Sequence, residues 1–150
     1  MHVQRRVSIE GSTQEVWDVI TDPRSAKGWA VGFDDYPAIS PDWPKNGARA
    51  TFRYHAGPLR IRFELTVTES IAPKSLHIAS RSVFGQGLEV YSLTFSGGVT
   101  TVWYDASDEP NLAGKLFALF FERRITKQID QRMVRLKEYC ETRRRQARRK

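Results

Sequence analysis

The chain has 150 residues, 40% hydrophobic and 27% charged, which fits one folded domain with a proper core and excludes a disordered chain. It has no apolar run long enough for a transmembrane helix, and its alternating start after Met1-His2-Val3-Gln4-Arg5-Arg6 does not read as a secretory signal. A single cysteine, Cys140, excludes an internal disulfide and an all-cysteine zinc site, and fits a reducing, cytoplasmic setting.

The net charge of +7 is unevenly placed, because Arg143 to Lys150 hold six basic residues and no acid. The remaining 142 residues carry 18 basic and 17 acidic groups. The basic character therefore describes a tail, expected at 143–150 behind a domain at 1–142. Such a tail reads as a patch for nucleic acid or anionic lipid, or as the solvated end of a helix whose C-terminus favours cations. A nucleic-acid reader spreads its cations over a folded face beside stacking aromatics. Here the aromatics sit in apolar periodic segments, which argues against nucleic acid as the partner.

Val3, Arg5, Val7 and Ile9 alternate with polar residues and predict a strand. Ser12-Thr13-Gln14-Glu15 has the form of a capping box, and Val16, Trp17, Val19 and Ile20 supply the apolar stripe of a short helix that Asp22-Pro23 ends. Arg24 to Gly28 allow one further turn. Trp29 to Asn46 reads as a loop with three prolines and four aromatics, Trp29, Phe33, Tyr36 and Trp43. Such a loop either packs over the core or lines a mouth. Strand alternation resumes at Ala50, Phe52 and Tyr54, turns at Gly57-Pro58, and continues cleanly through Leu59, Ile61, Phe63, Leu65 and Val67. Ala72-Pro73-Lys74 predicts a turn, Leu76 and Ile78 a strand toward Phe84, and Gly85-Gln86-Gly87 another turn. Tyr91, Leu93 and Phe95 lead to a hairpin at Ser96-Gly97-Gly98. Val99 to Ala106 is the last strand, closed by Asp108-Glu109-Pro110. From there one long helix is predicted, with apolar residues at Leu112, Leu116, Leu119, Phe120, Ile125, Ile129, Met133, Leu136 and Cys140. Phe117 and Phe121 widen its face in the first half, as in a helix gripped by a concave surface.

A strand, short helices, a run of strands and a long terminal helix make an α+β architecture. The stretches Ser12 to Pro23 with Trp29, Gly47-Ala48-Arg49, Val67 to Pro73, Gly97 to Val102 and Leu136 to Glu141 carry a resemblance. By them the chain resembles the START-like, birch-pollen-allergen-like helix-grip superfamily (SRPBCC), in its polyketide cyclase/dehydrase-type branch. The resemblance runs from Val3 to about Glu141. It implies a helix-grip fold: a seven-stranded antiparallel sheet curled around the long C-terminal helix, with two short helices after the first strand. It further implies a hydrophobic cavity between sheet and helix that takes lipids, polyketides or other apolar molecules, and in a minority of members supports cyclisation or dehydration.

Strand parity and helix spacing then give an expected lining. Phe52, Tyr54, Phe63, Tyr91 and Phe95 come from the strands, Phe117, Phe120 and Phe121 from the helix, and Trp29, Phe33 and Tyr36 from the entrance. Ile61, Leu65, Ile78, Leu93 and Leu116 share these faces. The same side chains could equally fill a solid core. Arg5, Glu69, Ser80 and Ser82 are polar on apolar parities, and a pair between Arg5 and Glu69 would neutralise both. His2, His55 and His77 lack metal-ligand spacing, and no phosphate loop, dinucleotide fingerprint or nucleophile elbow occurs, so no metal or cofactor is expected. Asp34-Asp35 reads as a solvated turn. Tyr54, Tyr91 and Glu69 are the candidates for acid–base work if the protein is a cyclase; the sequence assigns no catalytic residue. The expected function is binding of an apolar or aromatic small molecule, with cyclase or dehydratase chemistry in the same cavity as the alternative.

Overall fold

The computed structural model describes residues 1–149. Seven strands form one antiparallel sheet: β1 (His2–Glu10), β2 (Phe33–Ile39), β3 (Arg49–Ala56), β4 (Leu59–Ile71), β5 (Ser75–Ser82), β6 (Gly85–Ser96) and β7 (Val99–Pro110). Their order is β1-β7-β6-β5-β4-β3-β2, so every sequential pair from β2 to β7 is adjacent and β1 closes on β7. The sheet is open, with β1 and β2 as its edges. Helices α1 (Thr13–Thr21) and α2 (Ala26–Trp29), joined by a tight turn at Pro23–Ser25, precede the strand run, and α3 (Leu112–Arg148) follows it. This is the α+β helix-grip arrangement expected from the sequence.

Local chemistry explains most boundaries. Ser12 Oγ accepts from the Glu15 N–H at 3.1 Å while Glu15 Oε1 accepts from the Ser12 N–H at 3.4 Å, a complete capping box that starts α1. Gly97 and Gly98 both have positive φ, which a two-residue hairpin between right-twisted strands requires. Asn111 caps α3 through the Gly114 N–H at 2.9 Å.

Three expectations are corrected. The segment Trp29 to Asn46 contains strand β2, hidden in the sequence because it is an edge strand. It pairs only with β3, its register slips twice, and it can therefore carry Pro37. Gly85-Gln86-Gly87 is not a turn but the start of β6; a Cβ on Gly87 would lie 2.9 Å from Ser80 Oγ and 3.2 Å from the Ser107 carbonyl. These glycines mark strands that approach closely. Finally, the first half of α3 is not gripped all round: Leu112, Leu116, Leu119 and Phe120 face solvent.

Two apolar clusters result. The larger joins α1, Trp29, the inner faces of β5, β6, β7 and β1, and the second half of α3 at Ile129, Met133, Leu136 and Cys140. The smaller holds Tyr54, Ala56 and Ile61 of the β3–β4 hairpin under Phe84, Phe117 and Phe121. Ile125 touches both. The Cys140 thiol is buried, and burial pushes its pKa up to about 12. Among the described residues no helix is long and apolar enough to cross a membrane.

Candidate functional site

The β3–β4 register places Phe52 opposite Phe63 and Tyr54 opposite Ile61, all on the concave face. Phe33 and Tyr36 of β2 lean onto Phe52 with ring centroids 5.4 and 5.6 Å away, and Trp43 lies 6.5 Å beyond Tyr36. Phe63 is 6.2 Å from both Phe52 and Tyr54. These spacings suit offset and edge-to-face aromatic contact. Only Tyr54 is fully buried; Phe33, Tyr36, Trp43, Phe52 and Phe63 stay half-buried, an aromatic wall without complete cover.

Beside this wall, where the two apolar clusters meet, lies a polar group. Strand pairing sets Tyr91 of β6 opposite Tyr104 of β7, with rings 5.1 Å apart. Glu89 shares the Tyr91 side of β6, and Arg132 reaches in from α3. Arg132 Nη1 donates to Glu89 Oε1 at 3.2 Å and to the Tyr104 hydroxyl at 3.4 Å. The Tyr104 hydroxyl donates to the same carboxylate oxygen at 2.5 Å. The guanidinium carbon stands 5.7 Å from the Tyr104 ring centroid. Tyr54 donates its hydroxyl proton to Gln128 Oε1, and Gln128 Nε2 holds the His55 carbonyl at 3.3 Å.

Charge states follow from burial. Burial pushes the hydroxyls of Tyr36 and Tyr54 up to about 12, and those of Tyr91 and Tyr104 further, with Glu89 adding to each. At neutral pH all four are proton donors. Burial alone would pull Arg132 down; Tyr104, once ionised at alkaline pH, and the Glu89 carboxylate more than restore it, so its guanidinium stays charged. Its side chain is 14% exposed, and its Nε is buried with no hydrogen-bond partner. A buried unpaired donor on a cation costs free energy that an acceptor oxygen would recover.

The structure sorts the expected lining. Phe52, Tyr54, Phe63, Phe33 and Tyr36 gather on the wall, and Tyr91 joins the polar group. Phe121 stacks on Phe117 at 4.8 Å between centroids and Phe117 on Phe84 at 4.5 Å, over the β3–β4 hairpin. Trp29 does not stand at an entrance: it is buried in the larger cluster and donates through Nε1 to Ser25 Oγ at 3.2 Å. Phe95 is 56% exposed, since β6 runs past its helical cover near the Gly97-Gly98 turn. Phe120 is 80% exposed on the outer side of α3. The Arg5–Glu69 pair does not form, because strand register carries them to different neighbours: Arg5 binds Asp130 at 2.5 Å and Glu69 binds His77 at 2.9 Å. Asp34 and Asp35 lie in β2 rather than a turn and hold His55 at 2.7 Å and Arg53 at 2.6 Å. No three His, Cys, Asp or Glu side chains converge on a metal position among the described residues. Two open surface grooves lie apart from the wall: one at Arg81, Gln86 and Glu109, the other at Gly28, Tyr139 and Arg143.

Sequence reasoning missed Glu89, Gln128 and Arg132. The signals were present: Glu89 shares parity with Tyr91 and Leu93, and Arg132 follows Ile129 by three residues and precedes Leu136 by four.

With this architecture in view, the match to known families is decisive. Residues 1–141 match the family described as Polyketide cyclase / dehydrase and lipid transport. The chain belongs to that family. Members of this polyketide cyclase / dehydrase family are associated with hydrophobic ligands or cyclase chemistry. None of the curated proteins matches the chain in sequence. Among solved structures, protein NE0264 from Nitrosomonas europaea superposes with a TM-score of 0.75 at 14% identity, covering 96% of each chain. TTHA0849 from Thermus thermophilus superposes with a TM-score of 0.74 at 12% identity, covering 93% of this chain and 97% of that one. DynU16, from the dynemicin biosynthetic locus, gives 0.65 at 24% identity over 94% of this chain and 47% of its own. These likenesses fix the fold.

Proposed function

We propose that the protein binds a lipid- or polyketide-like small molecule with an aromatic or extended apolar body and an acceptor oxygen, held between the concave sheet face and α3. The observation that carries this reading is the buried, unpaired Arg132 Nε beside a half-covered aromatic wall. Phe33, Tyr36, Phe52, Tyr54 and Phe63 take the apolar body. Its burial contributes roughly 25 cal/mol per Å² before entropic costs. Arg132 Nε and the Tyr91 hydroxyl supply donors that orient the oxygen, and Tyr54 and Tyr104, whose protons go to Gln128 and Glu89, fix the surrounding side chains. Phe117 and Phe121 with Phe84 cover one end. The likeness to a protein of a biosynthetic locus favours a ligand made by the cell, and the single buried cysteine suits a cytoplasmic setting.

The test is native mass spectrometry of freshly purified protein, joined to a thermal-shift screen of hydroxylated and carboxylated aromatics and fatty acids. A co-purified or stabilising compound whose effect disappears in Arg132→Met is expected. No bound mass and no shift across the panel overturns the reading.

The second reading, a cyclase or dehydratase, is favoured by the Glu89–Tyr104–Arg132 group. A carboxylate beside a protonated phenol and a fixed cation can take a proton from a carbon next to a carbonyl and stabilise the enolate oxygen. Glu89→Gln and Tyr104→Phe would then abolish turnover of a linear polyketide analogue while leaving its binding within a few-fold. Turnover that survives both substitutions removes this reading.

A further inference from the structure

The exposed side chains Leu112, Leu116, Leu119 and Phe120 sit on four successive positions of one stripe of α3. At about 100° per residue all four fall within about 60° of Leu116. The opposite side of the same turns carries Phe117 and Phe121, which are packed. The first half of α3 thus has two apolar faces, only one of them used by the fold. Val83, 73% exposed, extends the bare face onto the β5–β6 turn, where Asn111 Nδ2 donates to its carbonyl at 2.9 Å. Further along the same stripe the exposed residues are Arg123 and Lys127, and Lys115 and Arg124 flank it. Glu122 is the only acid among residues 112–127.

We propose that this stripe is a docking face for an anionic lipid surface. The four large apolar side chains enter the boundary between headgroups and acyl chains, and Arg123, Lys127 and Lys115 meet the phosphates. A helix with one bare apolar sector continuing into cations has the composition of an interfacial helix. Charge selects this occupant over a second copy of the chain. A parallel two-fold contact on the stripe would set Arg123 and Lys127 against the same cations of the partner, whereas an anionic surface attracts them in any orientation about its normal. Docking here also brings the Phe84–Phe117–Phe121 stack to the membrane, but the proposal stands without any ligand in the interior.

The test is co-sedimentation of the full chain with vesicles of phosphatidylcholine alone and of phosphatidylcholine mixed with phosphatidylglycerol. Binding to the mixed vesicles that weakens as salt rises is expected. Leu119→Ser/Phe120→Ser removes it, and Arg123→Gln and Lys127→Gln weaken it about fivefold each. The substituted side chains are exposed, so circular dichroism of the variants should match the parent. Absence of binding, binding unchanged by Leu119→Ser/Phe120→Ser, or binding lost only on deletion of residues 143–150 overturns the proposal. So does a dimer in sedimentation velocity that the double substitution dissolves without any vesicle binding. The ligand screen above reads a different surface, so either result can fail alone.

Discussion

A double-substitution cycle on Glu89 and Arg132 separates a site from a structural strut. Their side chains are 31% and 14% exposed and 3.2 Å apart, so the pair is largely withdrawn from water. Glu89→Leu leaves the Arg132 cation without a counter-charge and Tyr104 without its acceptor. Breaking a fully buried pair costs about 3–5 kcal/mol. The exposure of Glu89 trims this, and about 2–3 kcal/mol is expected. Arg132→Met removes the charge and fills similar volume, but leaves Glu89 held only by Tyr104, for a cost of about 1–2 kcal/mol. Glu89→Leu/Arg132→Met removes both charges and the orphaned Nε together. Its stability should return to within about 1 kcal/mol of the parent or exceed it. Urea unfolding at pH 7 with an unchanged slope measures each term. The two variants that lack Arg132 should lose the ligand-induced thermal shift. A double variant as unstable as the sum of the singles would show the two side chains contributing separately to the fold. Ligand binding that survives in it would show the cluster is not the site.

The raised tyrosines give the protein an alkaline limit. A hydroxyl whose pKa is held at about 12 in the fold, as for Tyr36 and Tyr54, binds its proton more tightly folded than unfolded. That contribution is complete below the unfolded value near pH 10 and fades as pH climbs through the folded value, each group losing about 2–3 kcal/mol by pH 12. Urea midpoints should therefore fall between pH 10 and 12, and more gently in Tyr54→Phe; a flat profile would contradict the burial assigned to these groups. Amide hydrogen exchange should divide α3, with residues 112–124 opening faster than 129–140. Only the second stretch carries the buried Ile129, Met133, Leu136 and Cys140, and equal protection along the helix would refute the two-cluster description.

The sheet was legible in the sequence because its central strands obey period two and three of its hairpins carry Gly-Pro, Pro-Lys or Gly-Gly at the turns. Strand β2 was not, because an edge strand with one partner needs neither clean alternation nor freedom from proline. Gly85 and Gly87 misled for the opposite reason, since the residues that favour turns also serve where backbones crowd. The wall aromatics of β3 and β4, Phe52, Tyr54 and Phe63, could be read from parity. The polar group could not be read from any one element, because Glu89, Tyr104 and Arg132 come from β6, β7 and α3, and only strand register and helix angle bring them together. Trp29, Phe95 and Phe120 show the limit of parity and spacing: both say which side chains share a face, and neither says whether anything covers that face.

The same argument explains why one helix carries both the site and the bare stripe. A 37-residue helix at 1.5 Å per residue is about 55 Å long, whereas a 12-residue strand spans only about 40 Å, so the sheet cannot cover all of α3. The second half takes the main core through Ile129, Met133 and Leu136. The first half keeps only a thin contact through Phe117 and Phe121 with the β3–β4 hairpin and Phe84. Arg132 and Gln128 stand at the change from thick to thin packing, where polar side chains can be held without displacing core. Had stability alone shaped this junction, apolar residues at both 89 and 132 would have joined the two clusters at less cost than a buried ion pair with a spare donor. A charged residue there, bonded to Glu89 and Tyr104, is what the proposed recognition of an oxygen on a greasy molecule requires.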